Sequence, residues 1–206
     1  MKPLRIAIFA SGTGSNALAL IKKAQELSAH KIEITFVLSD NAQAPVLEKA
    51  KNENIRTFLV TPHKGRANQE QEILNLTKEY KIDWIFLAGY MRLISPSFLR
   101  TFADWHSGCP QIVNIHPSLL PGYPGLDSIA RAYHDQVSQS GVTLHLVDAG
   151  MDTGKILLQK SLPLAKSESL ETWKQKFHLL EHEVYGQFLE SLASGQISSH
   201  PFQEPA

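Results

Sequence analysis

Short apolar runs alternate with helical segments over the first two thirds of the chain. The helical segments begin near Ser15 and cover residues 44–54 and 67–80. The apolar runs between them predict buried strands over residues 4–10, 31–40, 55–61, 83–90 and 111–117. Because helices separate the strands, the pattern is typical of an α/β fold with a Rossmann-like, doubly wound, mostly parallel sheet.

The pattern changes after residue 140. Two apolar segments, 141–148 and 155–164, are separated only by the glycine-containing turn "AGMDTG". They predict an antiparallel element appended to the sheet, and residues 168–194 predict a long C-terminal helix. We therefore expect a single domain over residues 1–195, followed by a loose tail over residues 196–206.

Composition restricts the class of protein. The 206 residues are 43% hydrophobic, which is enough for a real core, and 20 basic residues balance 20 acidic ones. A net charge of zero argues against nucleic acid or a membrane surface as a partner. The single cysteine, Cys109, excludes an intrachain disulfide and a cysteine-based metal cluster. The first apolar run is too short for a secretion signal and no segment could span a membrane, so we expect a cytoplasmic protein.

The segment "SGTGSN" lies between the first predicted strand and the first helix. Glycines there permit a tight turn, and the free N–H groups of a helix N-terminus attract an anion, most often phosphate. The spacing of Gly12, Gly14 and Ala17 also fits a loose dinucleotide fingerprint, with Asp40 as the ribose-binding acid of a nicotinamide enzyme. A tight turn capped by Ser15 is a third interpretation. The segment alone leaves all three open.

The predicted strand "QIVNIHP" ends in polar side chains. Side chains alternate along a strand, so Ile112, Asn114 and His116 share one face. Ligands bind at the carboxyl ends of strands in such sheets, where a histidine can move a proton and an asparagine can stabilise an oxyanion. A histidine that simply donates to a backbone carbonyl is the alternative for a residue considered by itself.

The segment "GVTLHLVDAGMDTG" supplies further polar residues. Thr143 and His145 share one strand face, and Asp148 and Asp152 lie in the turn that follows. An aspartate in this turn would be able to orient His116 and accept its proton. Turns also favour aspartate for purely local reasons, so both interpretations stay open.

Five segments, taken in order, resemble the phosphoribosylglycinamide formyltransferase family, whose members are folate-dependent enzymes of purine synthesis. The segments span residues 5 to about 195 and read "SGTGSN", "LAGYMRLIS", "NIHPSLLPGYPG", "GVTLHLVDAGMDTGKILLQ" and "LLEHEVY". The combination of "NIHPSLLP" with a later "DTG" is specific to the folate formyltransferase superfamily. Other members, which transfer a formyl group to methionyl-tRNA or hydrolyse formyltetrahydrofolate, are the alternative, but they usually carry an additional domain.

The resemblance implies formyl transfer from 10-formyltetrahydrofolate, as cosubstrate, to the amine of glycinamide ribonucleotide, giving formylglycinamide ribonucleotide. It implies a catalytic trio at Asn114, His116 and Asp152. Two small molecules are then the only partners expected, with no nucleic acid and no membrane. No metal is expected, although "HLLEH" over residues 178–182 fits an inverted zinc-peptidase motif that recurs by chance.

The resemblance also implies two sets of binding residues. For the ribonucleotide they are Gly14, Ser15 and Asn16 at the phosphate, Glu181 at the ribose hydroxyls and Arg66 nearby. For the folate they are Met91, Arg92, Leu93, Asp148 and Gly150, the last two in the loop expected around the pteridine ring. The chain departs from the family pattern in a longer segment at 101–112, in Ile129 and in Lys155, which put local substrate contacts in doubt.

Overall fold

The computed structural model describes residues 2–27 and 31–197, which form a seven-stranded sheet covered by helices. The strands are β1 (Leu4–Phe9), β2 (Ile32–Ser39), β3 (Arg56–Leu59), β4 (Trp84–Leu87), β5 (Ile112–His116), β6 (Gln139–Leu146) and β7 (Ile156–Pro163). Each predicted strand is present, and no strand end differs from its predicted position by more than about three residues.

The sheet order is β3-β2-β1-β4-β5-β6-β7. Strands β1 to β5 pair in parallel, whereas β6 runs antiparallel to both of its neighbours. The predicted mostly parallel sheet with an antiparallel addition is therefore confirmed. The strand order reverses between β1 and β4, so the loops after these strands diverge and leave a crevice at their carboxyl ends.

The helices are α1 (Ser15–Glu26), α2 (Pro45–Asn52), α3 (Arg66–Glu79), α4 (Pro96–Asp104), α5 (Ser128–His134) and α6 (Leu170–Ala193). The apolar pattern of the sequence does not predict α4 and α5. A local signal for α4 was present, because the Ser95 hydroxyl accepts a hydrogen bond from Phe98 N and Pro96 occupies the first turn. Helix α5 is short and begins after Asp127 without a side-chain cap, so it carries no such signal.

Apolar side chains cover both faces of the sheet. Ile6 and Ile8 of β1 belong to a core shared with α1, α2, α5 and α6, while Ala7 and Phe9 belong to a core shared with α3 and α4. Successive residues of one strand thus face different helical layers, which explains why the parallel strands are continuous apolar runs. This is the doubly wound arrangement predicted from the alternation.

The long segment at 101–112 is anchored by His106. Its Nδ1 lies 2.7 Å from the carbonyl oxygen of Phe102, and its Nε2 lies 3.0 Å from that of Ile82. Both contacts are to backbone carbonyl oxygens and fix the buried ring between α4 and the segment before β4. The segment is therefore an ordered connection between α4 and β5.

The predicted tail over residues 196–206 lies outside the described residues except for 196 and 197, and the single-domain assignment stays a prediction. Among residues 2–27 and 31–197, no helix combines the length and apolar character needed to cross a membrane.

Candidate active site

A cleft of about 450 Å³ opens at the carboxyl ends of β4 and β5, next to the point where the strand order reverses. Asn114 and His116 line it from β5 and Asp152 lines it from the turn after β6. All five residues predicted to bind the folate also line it: Met91, Arg92, Leu93, Asp148 and Gly150. The structure therefore brings the predicted catalytic trio and the predicted folate residues into one cavity.

Asp152 is the polar centre of this cleft and adopts a left-handed conformation, φ 57°. Its Oδ2 accepts a hydrogen bond from Gly125 N at 2.7 Å and lies 3.3 Å from His116 Nδ1. Its Oδ1 lies 3.5 Å from Asn114 Nδ2 and from His145 Nε2. The contact with His145 first, then those with Gly125 and His116, lower the pKa of Asp152 although partial burial opposes them. The carboxylate is thus ionised at neutral pH.

His116 is buried and contacts protein at both ring nitrogens. Its Nε2 lies 2.8 Å from the carbonyl oxygen of Tyr123, which can only accept, so Nε2 carries a hydrogen. Its Nδ1 faces the Asp152 carboxylate. The ring is therefore held between the Tyr123 carbonyl oxygen and the Asp152 carboxylate, which fixes its orientation.

His145 joins the trio, although the site prediction did not include it. It is buried on β6 directly opposite Asn114 on β5, and its Nε2 lies 3.2 Å from Asn114 Nδ2. Its Nδ1 donates to the carbonyl oxygen of Leu146 at 2.8 Å, which fixes the ring. The sequence placed His145 on one face with Thr143, but only the antiparallel register between β5 and β6 shows which residue it faces.

The turn carrying Asp152 is organised by Asp148. The Asp148 Oδ1 accepts hydrogen bonds from Gly150 N at 3.0 Å and from the Thr153 hydroxyl at 2.7 Å. A Cβ at Gly150 would lie 2.0 Å from Thr153 Oγ1, so only glycine fits this turn. The structure thus places both predicted residues in the cleft wall, where the Asp148 side chain holds the loop together.

The "SGTGSN" loop leads into α1 through Gly14, whose φ is 78°. A Cβ at Gly14 would lie 2.4 Å from Val46 Cγ2, so the glycine is required by packing as well as by its backbone conformation. No side chain caps α1, which leaves its first N–H groups for a ligand. The interpretation of Ser15 as a cap is therefore wrong, because Ser15 is the first helical residue and its hydroxyl contacts His182 at 2.7 Å.

The same loop reaches the last helix. Asn16 Nδ2 donates to Glu181 Oε2 at 3.1 Å, and Asn16 Oδ1 is buried without a partner among the described residues. Burial raises the pKa of Glu181 to about 7, and the Asn16 hydrogen bond opposes this rise. Burial also lowers the pKa of His182. The helix N-terminus suits an anion, whereas the buried Glu181 carboxyl group and the unsatisfied Asn16 amide oxygen suit hydrogen-bond donors such as hydroxyl groups.

The zinc motif has no metal-binding geometry. His182 contacts Ser15 and Glu181 contacts Asn16, and within residues 2–27 and 31–197 no group of three or more potential ligands is arranged around a metal position. Two residues of "HLLEH", Glu181 and His182, thus connect α6 to residues at the start of α1.

The cleft wall that carries the predicted folate residues has an exposed apolar rim formed by Met91 and Leu93. Met91 is 67% exposed and Leu93 is 59% exposed, which is typical of residues at a ligand-binding surface. Arg66 lies beside this rim, because its guanidinium donates to the carbonyl oxygen of Leu93 at 2.8 Å and to Glu70 at 3.1 Å. The structure places Arg66 with the predicted folate residues and shows no contact between it and the "SGTGSN" loop.

Asp40 does not have the free carboxylate that the dinucleotide interpretation requires. One of its oxygens accepts from the Ser11 hydroxyl at 2.6 Å and the other accepts from Arg92 Nε at 2.7 Å. A ribose-binding acid would need an oxygen available to the ligand. This geometry argues against a nicotinamide site.

Comparison with known proteins agrees with this geometry. Residues 4–189 match the family model described as formyl transferase. The chain is 37% identical over 190 residues to a phosphoribosylglycinamide formyltransferase of Bacillus subtilis, covering 91% of this chain and 94% of the relative. It is 33% identical to the human trifunctional purine biosynthetic protein adenosine-3 over 95% of this chain, which spans only 19% of that protein. A crystal structure of phosphoribosylglycinamide formyltransferase from Bacillus halodurans superposes with a TM-score of 0.83 at 38% identity, covering 97% of this chain and 100% of that one.

Proposed function

The chain belongs to the formyl transferase family, and we infer from this membership that it is a phosphoribosylglycinamide formyltransferase of purine biosynthesis. It formylates the amine of glycinamide ribonucleotide and takes the formyl group from a folate cosubstrate. The observation that carries this inference is the family match together with the ionised Asp152 that joins Asn114 and His116 in one cleft. We further propose 10-formyltetrahydrofolate as the donor and the cytoplasm as the location.

The cleft suits a folate on its apolar side. Met91 and Leu93 offer exposed apolar surface to a flat ring, and the turn from Asp148 to Asp152 supplies backbone groups to a pteridine edge. The formyl group carried on N10 would then reach the trio. No resident metal is needed, since the donors in the cleft are an amide and imidazole groups.

The chemical step begins when the neutral amine nitrogen attacks the formyl carbon. Negative charge develops on the formyl oxygen as the tetrahedral intermediate forms. We assign Asn114 Nδ2 and His116 as the donors that stabilise this oxyanion, with the His116 Nδ1–H shared between Asp152 and the formyl oxygen because Nε2 already donates to Tyr123. One such donor is typically worth about 3–4 kcal/mol of the barrier. The bond between the carbon and N10 then breaks and leaves formylglycinamide ribonucleotide and tetrahydrofolate.

Proton balance assigns a role to Asp152. The attacking nitrogen must lose one proton and the departing N10 must gain one, so a single proton moves from amine to folate. Asp152 contacts His116 and lies in the same cleft, so it can relay this proton directly or through an ordered water. Its lowered pKa makes it a weak acceptor, so we assign its main contribution to orienting His116.

The substrate phosphate is assigned to the N-terminus of α1. Gly14, Ser15 and Asn16 supply backbone N–H groups that no side chain caps. Glu181, bonded to Asn16, is then placed for the ribose hydroxyls. The loop after β1 adjoins the carboxyl end of β4, which lines the catalytic cleft, so the two substrates meet at the strand-order reversal.

A spectrophotometric assay of folate deformylation tests the proposed function. Purified protein should consume 10-formyltetrahydrofolate only when glycinamide ribonucleotide is present, and a chelator should leave the rate unchanged. Asp152→Asn serves as the inactive control and NADH as a control ligand. A rate that does not depend on glycinamide ribonucleotide, or tight NADH binding, would contradict the proposal.

A further inference from the structure

Two loops of the cleft meet at a buried carboxylate that the proposed reaction does not use. Asp40 follows β2, and its side chain is only 4% exposed. Its Oδ1 accepts a hydrogen bond from the Ser11 hydroxyl at 2.6 Å, and its Oδ2 accepts one from Arg92 Nε at 2.7 Å. Ser11 begins the "SGTGSN" loop, and Arg92 lies between Met91 and Leu93 among the residues proposed to bind the folate. One carboxylate therefore contacts both substrate regions.

Ser11 strengthens this connection through further hydrogen bonds. Its hydroxyl oxygen accepts from Met91 N at 2.9 Å, and its own N–H donates to the carbonyl oxygen of Gly89 at 3.0 Å. The hydroxyl group and the backbone N–H of Ser11 thus both bond the loop after β1 to the turn after β4. Asp40 accepts a hydrogen bond from Arg92, the residue after Met91, and so restrains that side chain next to the same loop.

We propose that Asp40 is a positioning residue for the folate cosubstrate, acting through Arg92. The inference rests on the proposed function and adds to it a residue that touches neither substrate. Arg92 uses Nε for Asp40, and its two terminal nitrogens form no hydrogen bond within the described residues. These nitrogens remain available for an electron-rich group of the ligand.

The exposure of Arg92 determines whether its ion pair with Asp40 contributes to folding stability or to ligand affinity. The Arg92 side chain is 52% exposed, and ion pairs at such positions add little to folding stability. An unrestrained arginine at the rim would lose several rotamers when the ligand binds, and this loss would weaken affinity. Asp40 restricts the side chain beforehand, so its effect belongs in ligand affinity. The hydrogen bond to Asp40 also raises the pKa of Arg92.

Asp40→Asn separates the two contacts. An asparagine oxygen can still accept from Ser11, whereas its amide nitrogen would meet Arg92 Nε as a second donor. The variant should therefore release Arg92 and keep the loop after β1 in place. We expect the Kd for tetrahydrofolate to rise about three- to tenfold, the range for a hydrogen bond to a partly exposed charge.

Asp83→Asn is the matched control. Asp83 lies just before β4 at the opposite end of the strand, where its Oδ2 accepts from Arg5 N at 2.7 Å. It makes a comparable contact without reaching the cleft, so it reports what loss of a structural aspartate does to stability alone. Its Kd for tetrahydrofolate should equal that of the wild type even if its melting temperature falls.

Calorimetric titration of tetrahydrofolate into wild type, Asp40→Asn, Arg92→Gln and the double variant decides the matter. If Asp40 acts through Arg92, the double variant binds no more weakly than Arg92→Gln. Equal affinity of Asp40→Asn and wild type, or full additivity in the double variant, overturns the inference and leaves the proposed function intact. A wild type that binds no folate overturns both.

Arg92→Lys tests the same point without altering Asp40. Lysine keeps the charge but lacks the Nε donor and the planar fork. We expect it to bind tetrahydrofolate as weakly as Arg92→Gln, and in the wild type the Arg92 Nε proton should give a protected NMR signal. Wild-type affinity in Arg92→Lys would show that a positioned guanidinium is unnecessary and would overturn the inference even if Asp40→Asn failed to fold.

Discussion

Asn16 donates a hydrogen bond to Glu181 at 3.1 Å and so joins the loop after β1 to the last helix across 165 residues of sequence. The Glu181 carboxyl group is buried, and burial raises its pKa to about 7. A carboxyl group that titrates near neutrality, between the last helix and the loop proposed to bind the substrate phosphate, should affect both stability and binding.

The first prediction concerns stability against pH. The folded pKa of Glu181, about 7, exceeds its unfolded value of 4.5, so the folded chain holds the proton more tightly. Protonated Glu181 therefore contributes to the free energy of unfolding. The contribution is fully present below pH 4.5 and is lost as pH rises through about 7, a loss on the order of 3 kcal/mol. Urea unfolding at several pH values should show this loss in wild type and not in Glu181→Gln.

Glu183→Gln is the control for that experiment, because Glu183 is an exposed residue of the same helix. Its pH dependence should match the wild type. If Glu181→Gln kept the wild-type pH dependence, the buried carboxyl group would have to be ionised throughout.

The second prediction concerns the catalytic trio. His116→Ala and Asp152→Asn should each lower kcat by about two orders of magnitude, with smaller changes in KM, because both act mainly in the transition state. The two side chains contact each other at 3.3 Å, so their losses should be strongly non-additive. Steady-state kinetics of both single variants and the double variant measure this. A double loss equal to the product of the single losses would count against a coupled pair.

The third prediction concerns His145. The contact with His145 is the largest cause of the lowered pKa of Asp152, so His145→Ala should raise that pKa toward its ordinary value. A carboxyl carbon NMR titration of Asp152 measures the shift. The folded pKa of Asp152 is depressed, so its stabilising effect is lost as pH falls through that value, and His145→Ala should shrink the loss. An unchanged titration would show that His145 does not bond to Asp152.

The fourth prediction concerns Gly14. Alanine there would place a methyl group against Val46 and require a positive φ, so Gly14→Ala should destabilise the fold by about 1–3 kcal/mol. A Cβ at Gly12 meets nothing within 4 Å, so Gly12→Ala is the matched control and should change stability little. Thermal unfolding of both variants measures the difference. Equal stability would mean that α2 gives way to the methyl group.

The fifth prediction concerns the uncapped N-terminus of α1. If its N–H groups hold the substrate phosphate, sulfate or inorganic phosphate should compete with glycinamide ribonucleotide and not with the folate. Inhibition kinetics at varied concentrations of each substrate distinguish the two patterns. Competition against the folate alone would indicate that the anion binds in the folate part of the cleft and not at the N-terminus of α1.

Much of the fold could be predicted because its signals are local. The strands are apolar runs of the right length, and the glycine-rich turn and "QIVNIHP" mark carboxyl ends of strands where ligands bind. Helix α4 is too short for apolar periodicity to predict it, although Ser95 and Pro96 mark its start. Helix α5 has no local mark, and its formation depends on packing against the core.

The sequence by itself determined the strands, the layers and the strand end on which Asn114 and His116 lie. Only the tertiary structure decided that Asp152 contacts His116 and His145, that Asn16 meets Glu181, and that Asp40 binds Arg92. The reason is physical. The alternation of side chains is set by each segment's own backbone, whereas contacts between distant segments depend on strand order and register. These are chosen by the packing of the whole chain.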